Sequence, residues 1–211
     1  MNYSVLIVAT GKNALEQKGY KKLFHNLKDG RTVLDRTLSI FLNDERCKQI
    51  VIVTNRYDLS RIVNAHEDGR IVSVNGSTTR RQSVLNGLMA VKESVVLIHD
   101  ATRPWLNQHS IDGLLEAMET DKAACLVVPS TTNIKKVKDG YVIETQRRDD
   151  LYLVQTPQAF NTMFIIDCYL KAQSQGLDFL DDCDVVEALS TQPVKAVLGS
   201  SLNVKVKIKD A

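Results

Sequence analysis

Three short runs set the limits on what this 211-residue chain can become: Val5-Leu6-Ile7-Val8, Ile50-Val51-Ile52-Val53 and Val95-Val96-Leu97-Ile98. Each is apolar at every position. A strand with one wet face alternates apolar and polar residues, so an unbroken apolar run is buried on both faces, which needs helices above and below the sheet. The stretches between the runs supply them. Val33, Leu34, Leu38, Phe41 and Leu42 form a helical stripe behind Thr32, a good N-cap. The alternation predicts an α/β fold with a mostly parallel, doubly wound sheet and right-handed crossovers. Strands are expected over 3–9, 49–54, 70–74, 95–99 and 123–128. Helices are expected over 32–43, 58–67, from the Gly76–Ser83 stretch to Val91, and over 108–119, 161–175 and 181–190.

After Pro129 the pattern changes. Residues 134–137 and 141–145 flank Asp139-Gly140 and read as a hairpin with a tight turn. A two-stranded hairpin is not stable alone, so it must lie on its own sheet or on a second subunit. Gln155-Thr156-Pro157-Gln158 reads as an extended turn before a helix, because proline restricts its predecessor. Short strands over 194–198 and 203–208 finish the chain. No linker divides it, so residues 1–211 are expected to form a single domain.

Composition narrows the function. A formal net charge of +2 gives no general argument for nucleic-acid or membrane binding. No apolar run reaches the length of a membrane span and no basic-then-apolar leader opens the chain, so a cytoplasmic protein is expected. Cys47, Cys125, Cys168 and Cys183 are scattered, without ligand spacing, and read as reduced thiols rather than a zinc site.

The chemistry gathers where the third apolar run ends. His99, Asp100 and Arg103 follow it directly, and Pro104 cannot continue a ladder. Ligands of open α/β sheets bind at the carboxyl ends of strands. Asp100 either caps a turn and pairs with Arg103, or holds a hard cation such as Mg2+ that in turn holds phosphates. The loop after the first strand carries Gly11, Lys12, Lys18, Lys21 and Lys22. It is neither a Walker A nor a Gly-x-Gly-x-x-Gly sequence, and its lysines are either solvated or phosphate ligands. Gly76 to Ser83 opens a helix with small and hydroxyl residues, suited to a nucleoside or phosphate or simply to capping, with Arg80 and Arg81 then in solvent. Lys205 alternates with Val204 and Val206 and is either a rim charge or a phosphate ligand.

Taken in order, these stretches resemble the sugar-phosphate cytidylyltransferases, and in particular the 2-C-methyl-D-erythritol 4-phosphate cytidylyltransferase family, with ribitol-5-phosphate cytidylyltransferase a near relative. His99 to Pro104 looks like the family's His-Asp-Ala-x-Arg-Pro. Gly76 to Ser83 resembles its Gly-Gly-x-x-Arg-x-x-Ser, Gln155 to Gln158 its Leu-Thr-Pro-Gln, and Asn203 to Lys207 its Asn-Ile-Lys-Val-Thr. The resemblance implies a Rossmann-like nucleotidyltransferase sheet with a protruding β-arm at about 132–147 that makes a homodimer. It implies CTP and a sugar-alcohol phosphate as partners, with no nucleic acid and no membrane. A sugar-phosphate oxygen would attack the α-phosphate of CTP and pyrophosphate would leave. Lys21, Arg148 and Lys205 would be catalytic. Ala9, Thr10, Gly11, Lys12, Gly76, Ser83, Ala101 and Arg103 would bind the nucleotide, Arg148 and Thr156 the sugar phosphate, and Asp100 would hold Mg2+. Asp181 and Asp182 match an acidic pair of unassigned role. One departure stands out. Where the family reads Ala-Ala-Gly-x-Gly-x-Arg-Met, this chain has Leu15 in place of the arginine and Asn13 in place of the second glycine. A relative that binds nucleotide without turning it over is therefore the alternative.

Overall fold

A computed structural model of the chain describes residues 1–9, 22–55 and 68–206. Seven strands form one sheet in the order β3-β2-β1-β4-β8-β5-β9. They are β1 (Tyr3–Val8), β2 (Cys47–Thr54), β3 (Ile71–Asn75), β4 (Val95–Asp100), β5 (Ala123–Pro129), β8 (Tyr152–Asn161) and β9 (Lys195–Leu198). The expected strand 70–74 thus begins one residue late, and so does the expected 194–198. Helices α1 (Val33–Leu42) and α3 (Gln108–Ala117) cover one face; α2 (Arg80–Leu88), α4 (Thr162–Ser174) and α5 (Asp182–Leu189) cover the other. The expected helix 58–67 lies outside the described residues.

The unbroken apolar runs do what their composition requires. In β1, Val5 and Ile7 pack with Leu34, Leu38 and Phe41 of α1, while Leu6 and Val8 pack with Val84, Leu85 and Leu88 of α2. Each strand feeds two cores by side-chain alternation. Thr32 caps α1 in a reciprocal box with Asp35, as its position predicts. On the other face α2 lies so close to the sheet that a Cβ at Gly87 would meet Leu6 Cδ1 at 2.4 Å and Val53 Cγ2 at 2.5 Å. That approach brings the loop before α2 toward the strand ends.

The sheet departs from expectation at β8. Residues 152–161 form a ten-residue strand, antiparallel to both β4 and β5. The turn expected at 155–158 is part of it. Proline argues against a central strand because it cannot donate to the ladder. Here the ladder steps around it: Cys125 pairs with Gln158 and Val127 with Val154, so three residues of β8 face the single residue Leu126. Pro157 sits in that bulge, after a cis peptide bond. The bulge leaves Gln155, Thr156 and Gln158 as buried polar side chains in mid-sheet.

The expected strand 203–208 is also corrected. Residues 203–206 are not in a strand, and 207–208 lie outside the described residues. The segment is fastened to the loop after β4 instead. The Val206 N–H donates to the Thr102 carbonyl at 2.9 Å, and fully buried Asn203 donates from Nδ2 to the Thr156 carbonyl at 2.9 Å.

Among the described residues, strands β6 (Lys135–Lys138) and β7 (Tyr141–Thr145) pair only with each other, and every residue in them is exposed. Asp139 and Gly140 take φ of 50° and 84°, the positive pair that a tight primed hairpin turn demands. All four cysteines are buried and unbridged. Among the described residues no helix is long and apolar enough to cross a membrane.

Candidate active site

Strand β4 lies between β1 and β8, and Asp100 is its last residue, opposite Val8. Its side chain is 18% exposed and takes the Lys205 ammonium at 2.7 Å, with the Arg103 Nε at 3.5 Å. Burial alone pushes the carboxyl up; the charge and hydrogen bond of Lys205, with the Arg80 guanidinium nearby, outweigh it and hold the group below the usual carboxylate range. Arg103 donates from Nη1 to the Asn203 carbonyl at 2.6 Å. That bond carries the 203–205 segment over the end of β4 and delivers Lys205 to Asp100. Ala101, also buried, donates its N–H to the Val8 carbonyl, and its carbonyl accepts from Thr37. Ala9 closes the end of β1 by donating to the Val53 carbonyl at 2.8 Å.

Behind this cluster lies His99, with no exposed surface. Its Nδ1 is 3.1 Å from the Thr156 hydroxyl and its Nε2 3.2 Å from the Arg103 carbonyl. The same hydroxyl accepts the Asp100 N–H at 3.0 Å. Burial pulls the imidazole down to about 4, so it is neutral at physiological pH.

The loop before α2 is closed from within. The Gly76 N–H donates to the Thr54 carbonyl at 2.7 Å. The Ser83 hydroxyl, fully buried, accepts from the Ser77 N–H and donates to the Thr79 carbonyl, both at 2.9 Å. Thr79 caps α2. The serine therefore shapes the loop rather than facing outward from it. Nor are the two arginines left in solvent. Arg80 makes a bidentate pair with fully buried Asp182 at 2.8 and 2.7 Å, and Arg81 pairs with Asp178 and the Leu177 carbonyl. Asp182 also accepts from the Tyr169 hydroxyl, and the N–H groups of Asp182 and Cys183 both reach Gln158 Oε1 at 3.1 Å. Asp181 is the N-cap of α5. The acidic pair thus divides its work: one residue caps a helix and the other ties α2, α4 and β8 together.

Of the expected site residues, the fold brings together Asp100, Arg103, Thr156 and Lys205. Gly76 lies in the loop that leads to Arg80, whose charge Asp100 feels, and Ser83 lies in the first turns of α2 and ties back to that loop. Lys21, Thr10, Gly11 and Lys12, with Leu15, lie outside the described residues. Arg148 is exposed on a 3-10 turn (Arg148–Asp150) after β7, and no hydrogen bond or ion pair joins it to the Asp100 cluster. A cleft of about 490 Å³ opens beside the cluster, lined by Arg103, Val128, Leu153, Gln155, Asn203 and Lys205. Sequence reasoning gave no role to Arg80, Tyr169 or Asn203. Arg80 and Asp182 are 102 residues apart, and no spacing rule joins them.

The chain matches the family described as 2-C-methyl-D-erythritol 4-phosphate cytidylyltransferase (IspD) over residues 3–211. The Bacillus velezensis protein of that name is 37% identical over 215 residues, covering 100% of this chain and 92% of its own length. The Geobacillus kaustophilus protein of the same name is 36% identical over 211 residues, covering 98% and 92%. Among solved structures, the 4-diphosphocytidyl-2C-methyl-D-erythritol synthase of Anaerococcus prevotii superposes with a TM-score of 0.88 at 30% identity, over 99% of this chain and 92% of that one. The cytidylyltransferase of Francisella tularensis gives 0.83 at 28% identity, over 100% and 96%.

The Arg80–Asp182 pair makes a prediction. Removing one partner of a buried ion pair strands the other, at a cost of about 3 kcal/mol. Arg80→Met should lower the urea-derived stability by about that much, and Arg80→Met with Asp182→Leu should recover most of it. A single variant as stable as the wild type would mean that the pair is solvated.

Proposed function

The chain belongs to the 2-C-methyl-D-erythritol 4-phosphate cytidylyltransferase family, and on that footing we propose that it transfers CMP from CTP to 2-C-methyl-D-erythritol 4-phosphate, releasing pyrophosphate, in isoprenoid precursor biosynthesis. The observation that carries this reading is the Asp100–Lys205 pair at 2.7 Å over the carboxyl end of β4. Asp100, Arg103 and Lys205 sum to one net positive charge, and neutral His99 adds none. A site of that sign, with a lysine 55% exposed, favours a polyphosphate.

Phosphoryl-group transfers of this kind depend on positioning and charge neutralisation more than on covalent chemistry. Lys205 would leave Asp100 to meet phosphate oxygens, and would stabilise the charge that grows on them as the sugar-phosphate oxygen approaches. Lys21 and Arg148 are proposed for the same charge, Lys21 from the first loop and Arg148 from the base of the hairpin. Ala9, Thr10, Gly11, Lys12, Gly76 and Ala101 would cradle the nucleoside and phosphates with backbone groups, over a loop that Ser83 holds in shape. The Thr156 hydroxyl is already engaged, accepting the Asp100 N–H and lying 3.1 Å from His99 Nδ1, so it would meet the sugar phosphate with only its remaining hydrogen-bonding capacity.

Asp100 suits Mg2+ as a single carboxylate ligand. Among the described residues no cluster of three His, Cys, Asp or Glu side chains could hold a metal by itself. Mg2+ commonly takes one or two carboxylates and completes its shell with water and substrate phosphates. Asp100 would hold it there, and the ion would neutralise triphosphate charge. The exposed hairpin, with Tyr141 at 77% and Val142 at 61%, is proposed as an arm that packs on a second subunit. Leu15 motivates the second reading, a relative that binds CTP without turnover.

Purified protein with CTP, Mg2+ and 2-C-methyl-D-erythritol 4-phosphate should release pyrophosphate, faster than with ribitol 5-phosphate. Lys205→Ala should lower kcat by about 10²-fold. CTP binding by calorimetry without release from either sugar phosphate would favour the second reading, and neither binding nor release would remove both. At micromolar concentration the protein should sediment as a dimer; a monomer would remove the arm's role.

A further inference from the structure

We propose that His99 is a positioning residue for this reaction: its imidazole clamps both ends of the Asp100–Arg103 turn and so sets the arrangement of Asp100, Arg103 and Lys205. The inference rests on the functional reading given above.

The positions of the protons follow from the partners. The Asp100 N–H can only donate, so the Thr156 oxygen is its acceptor at 3.0 Å. The Arg103 carbonyl can only accept, so the His99 Nε2 beside it at 3.2 Å carries a proton. A neutral imidazole protonated at Nε2 has a bare Nδ1, which accepts the one proton of the Thr156 hydroxyl at 3.1 Å. The ring has no exposed surface and each of its nitrogens meets one partner, so a single ring proton satisfies both bonds. One consistent chain results: Asp100 N–H to Thr156 O–H to His99 to the Arg103 carbonyl. The first bond fixes where the Asp100 backbone leaves β4. The last fixes where the Arg103 backbone returns.

The clamp extends outward from there. Arg103 donates to the Asn203 carbonyl, and Asn203 donates to the Thr156 carbonyl. Lys205 stands two residues on, at Asp100. The bulge of β8 makes this possible, because it brings the Thr156 hydroxyl to Asp100 where Asp100 would otherwise seek a ladder partner. Phe41 closes against the ring edge-on, with centroids 5.5 Å apart, and fixes its plane. A histidine that merely filled the core would not need one nitrogen on one end of the turn and the other reaching the opposite end through the Thr156 hydroxyl.

Two replacements separate these roles. In a glutamine the terminal amide lies near the Nε2 position, so His99→Gln keeps the bond to Arg103 and loses the bond to Thr156. His99→Phe fills the space and loses both. At saturating substrates, kcat should fall about tenfold for His99→Gln and about 10²-fold for His99→Phe, in proteins that still unfold cooperatively in urea. Nitrogen-15 NMR of the histidine-labelled wild type should show one buried imidazole with Nε2 protonated and Nδ1 bare. Variants that fold and keep kcat within twofold would overturn the proposal, and so would a proton on Nδ1. If His99→Phe fails to fold, His99→Gln and the spectrum still decide. A wild-type protein with no turnover would overturn the functional reading, and the spectrum would then judge the clamp separately.

Discussion

A carboxylate at the end of a buried strand has to be compensated, and the way Asp100 is compensated organises this molecule. Strand β4 is apolar because both of its faces are covered. It therefore delivers its last side chain into a place where water is scarce and charge is costly. Arg103, three residues on, answers part of that cost, and Lys205, brought from a hundred residues away, answers the rest. Lys205 remains half exposed and free to turn toward a ligand. On the proposed function, a triphosphate arriving there would exchange one ion pair for others rather than enter an unprepared cleft.

Buried polar side chains carry the sheet across its irregular place. Gln155, Thr156 and Gln158 stand around Pro157, where the ladder between β5 and β8 is interrupted. Each finds partners elsewhere: Gln155 with the Ser200 carbonyl and Asn203, Thr156 with Asp100 and His99, Gln158 with the start of α5. The bulge is thus a junction between β4, α5 and the segment that holds Lys205. Opposite it, Arg80 and Asp182 tie the base of α2 to the same region. Both halves of the site are anchored to one strand.

Much of this was legible in the amino-acid sequence, for physical reasons. Unbroken apolar runs permit only strands covered on both faces, and the helical stripe behind Thr32 permits only an amphipathic helix. The Asp139-Gly140 pair requires a tight turn. His99, Asp100 and Arg103 stood out because polar residues directly after such a run fall at the ligand-binding edge of the sheet. Strand β8 was hidden because Pro157 reads as a strand breaker, and only tertiary pairing shows that the ladder steps around it. The segment at 203–206 alternates like a strand, yet its backbone is held by the loop after β4. The Arg80–Asp182 pair joins residues that no local period relates. The histidine clamp depends on which atoms face which, and a motif does not record that.

On the proposed function, the Asp100 carboxylate at the end of β4 would receive the metal-bound triphosphate. The most direct test is to titrate CTP into wild-type protein and Asp100→Asn by calorimetry, each with and without Mg2+. The account predicts that Mg2+ tightens CTP binding in the wild type and that this gain is largely lost in the variant. Equal tightening in both proteins would contradict it.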